Sequence, residues 1–159
     1  MHFSRRIPRA LDDEHRASLA LLDRLERTLQ RGADADWAAL ARPLLGLIDS
    51  DVTQHFGFEE DELFPRLADA GDAGIAALLS QEHADIRELG AELRPLVAAL
   101  AERGALDAPQ RAAFRRLALE LVERMVSHIQ KETMALLPLL EDLLDEETDR
   151  ELAMVYAGA

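Results

Sequence analysis

The chain has 159 residues, of which 48% are hydrophobic, and it carries a formal net charge of −13 with no cysteine. The apolar content is sufficient for one folded domain, while the acidic charge argues against nucleic acid or an anionic membrane surface as a partner. Without cysteine the chain has no disulfide, no catalytic thiolate and no iron–sulfur cluster.

Composition and the N-terminal segment indicate the class of protein. Residues 1–10, MHFSRRIPRA, include basic residues but lack the apolar region of a secretory signal. No apolar run approaches about 18 residues, which is the length that a membrane-spanning helix needs. Alanine and leucine dominate the hydrophobic residues and only 4% of the chain is aromatic, a bias that favours helices over strands. We therefore expect an all-α cytoplasmic protein.

Apolar residues recur at intervals of three and four along four segments, which predicts four amphipathic helices. The stripes run over residues 11–29, 40–63, 79–100 and 114–139, and a short amphipathic tail follows at 146–156. Gly32 and Gly104 are expected to close the first and third helices, and Pro65 to bend or end the second. The short connections predict an up-down-up-down antiparallel four-helix bundle over about residues 10–143, with a short C-terminal helix, in a single domain at residues 1–159.

The second and fourth helices share one sequence frame. It appears as HFGFEEDELFP from His55 and as HIQKETMALLP from His128. Each histidine is followed by a glutamate four residues later and by a proline ten residues later. The first and third helices instead carry a Glu-His pair, which ends at His15 and at His83. The second half of the chain therefore repeats the first half as a related helix hairpin.

These histidines and the two glutamates lie on the apolar stripes of their helices. A buried ionised carboxylate is costly unless it is paired or bound to a metal, and no lysine or arginine lies on the central part of the stripes. Residues four apart share a helix face, so a histidine can bind one ion while the glutamate reaches a second. A dinuclear site of imidazoles and carboxylates in a bundle core favours iron, with zinc as a substitute. The predicted metal ligands are His15, His55, Glu59, His83, His128 and Glu132.

Three further acids flank the predicted ligands. Glu14 and Glu82 each precede a histidine, and Glu60 follows Glu59. They are candidates for hydrogen bonds to the ligating histidines from outside the ligand set. The alternative is that they are ordinary solvated acids on the helix surface. We expect no catalytic residue and no organic cofactor, and Tyr156 in the tail is expected to serve packing.

The motif pattern H…HxxxE…H…HxxxE and the two repeated segments resemble the hemerythrin-like, or HHE cation-binding, family over about residues 10–143. The resemblance implies a four-helix bundle around a non-haem di-iron centre with an oxo or hydroxo bridge. It implies that the four histidines are terminal ligands and that Glu59 and Glu132 bridge the ions. By analogy with the oxygen-carrying members, His15 and His55 would serve one iron, and His83 and His128 the other.

Two positions depart from the pattern of the oxygen-carrying members. Arg87 stands where they have a further histidine, and Thr133 stands where they have an aspartate in the fourth helix. The chain therefore resembles the four-histidine type, in which a coordination position is open or is filled by water or by a carboxylate such as Glu60. This favours sensing, peroxide or nitric oxide chemistry, or iron handling over stable oxygen storage.

Three functions follow from this resemblance. The first is a metal-binding di-iron protein that binds O2 or a related small ligand, such as peroxide or nitric oxide, for sensing, storage or iron handling. The second is a di-iron enzyme that acts on peroxide or nitric oxide at the open positions. The third is a helical interaction module that keeps the site as a structural metal clasp, for example with zinc. No feature of the outer helix faces identifies a protein partner.

Overall fold

A computed structural model describes residues 2–32 and 36–158, and within these ranges the chain forms five helices and no strand. Helix α1 spans Arg6–Arg31, α3 spans Ala73–Arg103 and α5 spans Glu146–Gly158. Helix α2, residues 38–69, is continuous but alternates between α-helical and π-helical segments. Its α-helical segments are Ala38–Gly46, Phe56–Phe58 and Phe64–Asp69, and its π-helical segments are Leu47–His55 and Glu59–Leu63. Helix α4, residues 108–143, runs through Ala108–Lys131, Glu132–Leu136 and Leu137–Leu143.

The four long helices form the antiparallel up-down-up-down bundle that the sequence predicts. Helix α1 packs against α2 and α4, and α3 packs against the same two helices from the opposite side. Gly32 follows α1 and Gly104 follows α3, both with φ of 73°, a conformation that costs glycine little because it has no Cβ. Asp107 begins α4 through a reciprocal pair of hydrogen bonds with Gln110.

Helix α5 packs on the outside of the bundle against α1. The buried carboxylate of Asp149 accepts hydrogen bonds from the backbone N–H groups of Arg6 and Ile7, at 2.8 and 2.9 Å. These are N–H groups that the first turn of α1 leaves without a partner inside the helix. A side chain of α5 therefore caps α1, and Leu152 is buried beside it. No helix in the described part of the chain is both long and apolar enough to cross a membrane.

Two prolines change the helical hydrogen-bond pattern without ending their helices. The segments Glu59–Leu63 and Glu132–Leu136 are π-helical: the N–H of the residue that follows each segment donates to the carbonyl of the glutamate at its start. Pro65 and Pro138 come directly after these bonds. Proline has no N–H and its ring clashes with the carbonyl four residues earlier, so a wider turn accommodates it. Pro65 therefore does not end α2, which continues to Asp69.

Two apolar cores fill the bundle, and a polar layer separates them. The first core includes Leu22, Leu93 and Leu121, and the second core includes Leu11, Leu63 and Leu136. Along α1, the buried face passes from Leu11 in the second core to His15 and then to Leu22 in the first core. Along α3, it passes from Leu79 through His83 to Ile86. The fold thus places the histidines at one level of the bundle.

Candidate metal centre

The polar layer contains all six side chains that the sequence predicts as metal ligands. Each of the four long helices contributes one histidine, and α2 and α4 each add a glutamate. None of the six is more than 5% exposed, and Glu59 and His83 are fully buried. The members of the layer are His15, His55, Glu59, His83, His128 and Glu132.

The two carboxylates lie between the imidazoles of different helices. Glu132 directs Oε1 to His15 Nε2 at 3.0 Å and Oε2 to His128 Nε2 at 3.2 Å. Glu59 Oε1 lies 3.3 Å from His55 Nε2 and 3.4 Å from His83 Nε2. Glu132 Oε2 also lies 3.4 Å from His83 Nε2. Glu132 therefore faces histidines of α1, α3 and α4, whereas Glu59 faces histidines of α2 and α3.

The donor atoms fall into two groups, and within each group they lie within 4.8 Å of one another. The four-donor group consists of Glu59, His83, His128 and Glu132, and the three-donor group consists of His15, His55 and Glu132. Glu132 belongs to both groups. This division places His15 with His55 and His83 with His128, the pairing that the family resemblance implies.

The donor set fits a metal cation. Both oxygens of Glu59 and the Nε2 atom of His55 are buried without a hydrogen-bond partner. An ionised carboxylate in that position is unfavourable unless a cation compensates it. The Nε2 atoms of His83 and His128 lie 3.0 Å apart. Two nitrogens this close together could hold the same ion.

The charges of the layer also attract positive charge. Burial alone would lower the pKa of His83, but its hydrogen bond to Glu132 and the negative charges of Glu59 and Glu132 raise it to about 9. Burial would also lower the pKa values of His55 and His128, but the carboxylates beside them raise these pKa values. Burial would raise the pKa of Glu132, but hydrogen bonds from three histidines hold it well below its usual range. Protons and metal cations therefore compete for the same positions.

The Nδ1 atom of every histidine in the layer contacts an oxygen on a neighbouring helix. The contacts are His55 with Glu14 at 2.7 Å, His83 with Glu60 at 2.7 Å, His128 with Glu82 at 2.9 Å and His15 with Thr133 at 2.9 Å. A side-chain oxygen on each of the first three helices thus contacts the histidine of the next helix in the chain, and an oxygen on α4 contacts the histidine of α1. A proton held on Nδ1 leaves the Nε2 lone pair free to face the centre. We call these four contacts the outer ring.

Each of the three acids in the outer ring also accepts a hydrogen bond from a residue that is not part of the ring. Arg87 donates to Glu60 at 2.7 Å, Lys131 donates to Glu82, and the Tyr156 hydroxyl donates to Glu14. Burial would raise the pKa values of these acids, but the hydrogen bonds lower them, so the acids stay ionised at neutral pH. Burial and Glu14 also raise the pKa of Tyr156, which keeps its hydroxyl protonated.

Sequence reasoning missed these outside donors. Arg87 and Lys131 lie about one helical turn after His83 and His128, so their spacing could have identified them. Thr133 could have been found through the repeat, because it follows Glu132 as Glu60 follows Glu59. No spacing links the tail to the layer, and Tyr156 is not only a packing residue as the sequence suggests.

The two donor groups have different surroundings. Phe56 stacks on His83 with ring centres 3.8 Å apart and planes 2° apart, which covers the four-donor group with an apolar ring. The three-donor group instead borders a small cavity of about 80 Å³. Its lining is Glu14, Ser50, Asp51, Gln54, His55 and Tyr156. A polar opening therefore reaches the histidine of α2.

Comparison with known proteins agrees with the geometry. The family model described as Hemerythrin HHE cation binding domain matches residues 6–140, which is most of the chain. No curated protein sequence matches the chain significantly. The buried layer of histidines and glutamates is consistent with a family described by cation binding. The chain is thus a metal-binding helical bundle that belongs to the hemerythrin HHE cation binding domain family.

Proposed function

We propose that the chain is a non-haem di-iron protein that binds O2, peroxide or nitric oxide at a carboxylate-bridged centre, for sensing, storage or iron handling. The observation that carries this proposal is the position of Glu132. Its two oxygens face histidines of both donor groups, and it is 1% exposed. A shared carboxylate between two clusters of buried nitrogen and oxygen donors supports two cations side by side.

The types of donor support iron. Imidazole nitrogen suits iron, copper, nickel and zinc, while a helix bundle that holds imidazoles together with bridging carboxylates is typical of di-iron proteins. Bound iron would supply the affinity for O2, peroxide or nitric oxide and the redox change on binding. The chain supplies the buried donors, and the outer ring fixes three of the four imidazoles with Nε2 towards the centre.

The cavity beside the three-donor group supports a small ligand. Its volume of about 80 Å³ exceeds the roughly 10–15 Å³ that one water molecule needs on the same measure. The cavity therefore has room for a diatomic molecule or hydrogen peroxide beside His55. The three-donor group also offers fewer protein atoms to an ion than the four-donor group.

A second candidate function is a di-iron enzyme that acts on peroxide or nitric oxide. It is favoured by the hydrogen-bonded series Tyr156, Glu14 and His55, which begins at the cavity and ends at the layer. Such a series can hold and move the protons that turnover of peroxide or nitric oxide requires. Continuous consumption of either molecule would favour the enzyme, and reversible binding without consumption would favour the sensor or carrier.

The first experiment is to measure the metal content and the visible spectrum of protein purified in air. The spectrum is then recorded after anaerobic reduction and after exposure to O2, peroxide or nitric oxide. We expect about two irons per chain and the absorption of an oxo-bridged di-iron centre that changes with these ligands. Zinc alone, or no metal and no spectral response after reconstitution with iron, would contradict the proposal and favour a structural site.

A Glu132→Gln variant tests the shared carboxylate directly. Because Glu132 belongs to both donor groups, we expect iron to be lost at both positions. Glu123→Gln is the matched control, since Glu123 is an exposed glutamate on the same helix. Full iron content in Glu132→Gln, with the helix content of the natural chain, would show that this carboxylate does not bridge.

A further inference from the structure

One of the four contacts of the outer ring involves a hydroxyl and not a carboxylate. His55, His83 and His128 each contact a carboxylate through Nδ1, whereas His15 contacts the hydroxyl of Thr133 at 2.9 Å. Thr133 occupies the position in the second half of the chain that Glu60 occupies in the first. A neutral group therefore replaces a charged one behind a single histidine, and that histidine belongs to the three-donor group.

The hydroxyl allows His15 a second arrangement. An ionised carboxylate can only accept, so its histidine carries the proton on Nδ1 and offers Nε2 to a cation. A hydroxyl both donates and accepts. Thr133 can donate to Nδ1, while the Nε2–H of His15 donates to Glu132 Oε1, 3.0 Å away. This arrangement occupies two of the atoms that a cation in the three-donor group would bind.

The acids behind the histidines and the number of donor atoms both favour tighter metal binding in the four-donor group. Both histidines of the four-donor group have an ionised acid behind them, Glu60 and Glu82, whereas only one histidine of the three-donor group does. A carboxylate behind a ligating imidazole makes it a stronger ligand. The four-donor group also supplies one more donor to its ion.

We propose that Thr133 makes the three-donor group the weaker and exchangeable of two metal positions, so that the four-donor group fills first. Thr133 is a positioning residue, because it acts through His15 and does not reach the ion. The inference rests on the proposed function, which requires two metal ions in the layer. The inference also implies that a form of the protein with one divalent first-row ion is populated. The second ion binds to this form and dissociates to leave it again.

The test is a titration of the metal-free, full-length chain with Zn²⁺ and, separately, with Co²⁺. Calorimetry and competition with a chelator give the two dissociation constants, and the visible absorption of Co²⁺ reports each position as it fills. We expect two steps whose affinities differ by at least about 10-fold. Thr133→Glu is expected to strengthen the second step by about 10-fold, because it places a carboxylate behind His15.

Two further variants keep the test informative if Thr133→Glu does not fold. Thr133→Val keeps the shape of the side chain but removes the hydroxyl. We expect the second step to weaken further, because the Nδ1–H that His15 carries when Nε2 binds a cation would be buried without an acceptor. Glu60→Thr is the matched reciprocal change, which places a hydroxyl behind His83 and is expected to weaken the first step. Circular dichroism and melting curves show whether each variant keeps the helical fold.

Each outcome of the titration supports or overturns one proposal. Two steps of equal affinity in the natural chain would overturn the role of Thr133 and leave the two-metal function intact. A second step that is unchanged in folded Thr133→Glu and Thr133→Val would do the same. A chain that binds no metal, or only one ion at saturation in every variant, would overturn the two-metal function itself.

Discussion

The two apolar cores and the polar layer between them are equally buried but are stabilised in opposite ways. Leu93 and Leu121 are fully buried and pack against other hydrophobic side chains, so these contacts stabilise the fold without any further component. Glu59 is also fully buried, yet both of its oxygens lack a hydrogen-bond partner. The cores therefore hold the helices together, while the buried carboxylates of the layer need positive charge beside them, from protonated histidines or from a bound cation.

The largest expected effect tests whether the first core is independent of the layer. Leu93 lies ten residues after His83 on α3, about 15 Å along the helix. Leu93→Ala is expected to lower the free energy of unfolding by about 2–5 kcal/mol, because it leaves a cavity in the core. The loss should be equal in metal-loaded and metal-free protein, since the two sites are too far apart to couple. Chemical denaturation of both forms measures it.

Leu78→Ala is the matched control for this substitution. Leu78 lies on the same helix but is 52% exposed, so its truncation should change the stability by no more than about 0.5 kcal/mol. A Leu93→Ala loss that appears only in the metal-free form would show that the core and the layer are coupled. The separation of the bundle into independent layers would then be wrong.

A rise in pH is expected to destabilise the layer without affecting the cores. The fold raises the pKa of His83 from 6.5 to about 9, so protonated His83 stabilises the metal-free fold fully below pH 6.5. That stabilisation is lost as the pH rises through about 9, and the raised pKa values of His55 and His128 act in the same direction. A bound cation replaces these protons, so the metal-loaded form has no such loss.

Melting curves of the Zn²⁺-loaded and metal-free forms between about pH 6.5 and about pH 9 measure this difference. We expect the gap in Tm between the two forms to widen by a few degrees as the pH rises. Leu93→Ala should lower both curves by the same amount at every pH. Parallel curves for the two forms of the natural chain would mean that the histidines do not carry protons in the metal-free fold.

The sequence is most informative where polar residues interrupt an apolar period. His55 and Glu59 stand on a stripe of hydrophobic residues, and the same spacing recurs at His128 and Glu132. The repeat of a histidine and a carboxylate on two buried faces, and not one such pair alone, indicates a metal site. The fold class and the family are confirmed for the same reason, since the period defines the helices and the repeat defines the motif. The ligand set stays a prediction that the titrations above test.

The contacts between helices could not be predicted in this way. Glu14 is the sequence neighbour of His15 but accepts a hydrogen bond from His55, because the rotation of each helix in the bundle decides which side chains meet. The continuation of α2 beyond Pro65 is also a result of packing. Leu63 and Leu67 are both fully buried in the second core, so the helix stays continuous where the local sequence predicts a bend or an end.

The tail provides the smallest expected effect and the sharpest distinction between packing and function. Tyr156→Phe keeps the ring, which packs against Phe58 at 4.6 Å and against His55 at 6.3 Å between ring centres. It removes only the hydroxyl that donates to Glu14. We expect the free energy of unfolding to fall by about 1 kcal/mol or less. Metal affinity should fall by less than 10-fold, because Tyr156 acts through Glu14 and does not contact His55 Nδ1 itself.

The loss of metal affinity in Tyr156→Phe should be confined to the second of the two titration steps. The contact passes from Tyr156 through Glu14 to His55, which belongs to the three-donor group, so the first ion should bind as tightly as in the natural chain. Met154→Ala is the matched control on the same helix, since Met154 is 71% exposed. An unchanged second step in Tyr156→Phe would assign α5 to the packing of the bundle alone. A weakened second step would extend the metal centre to the C-terminal helix.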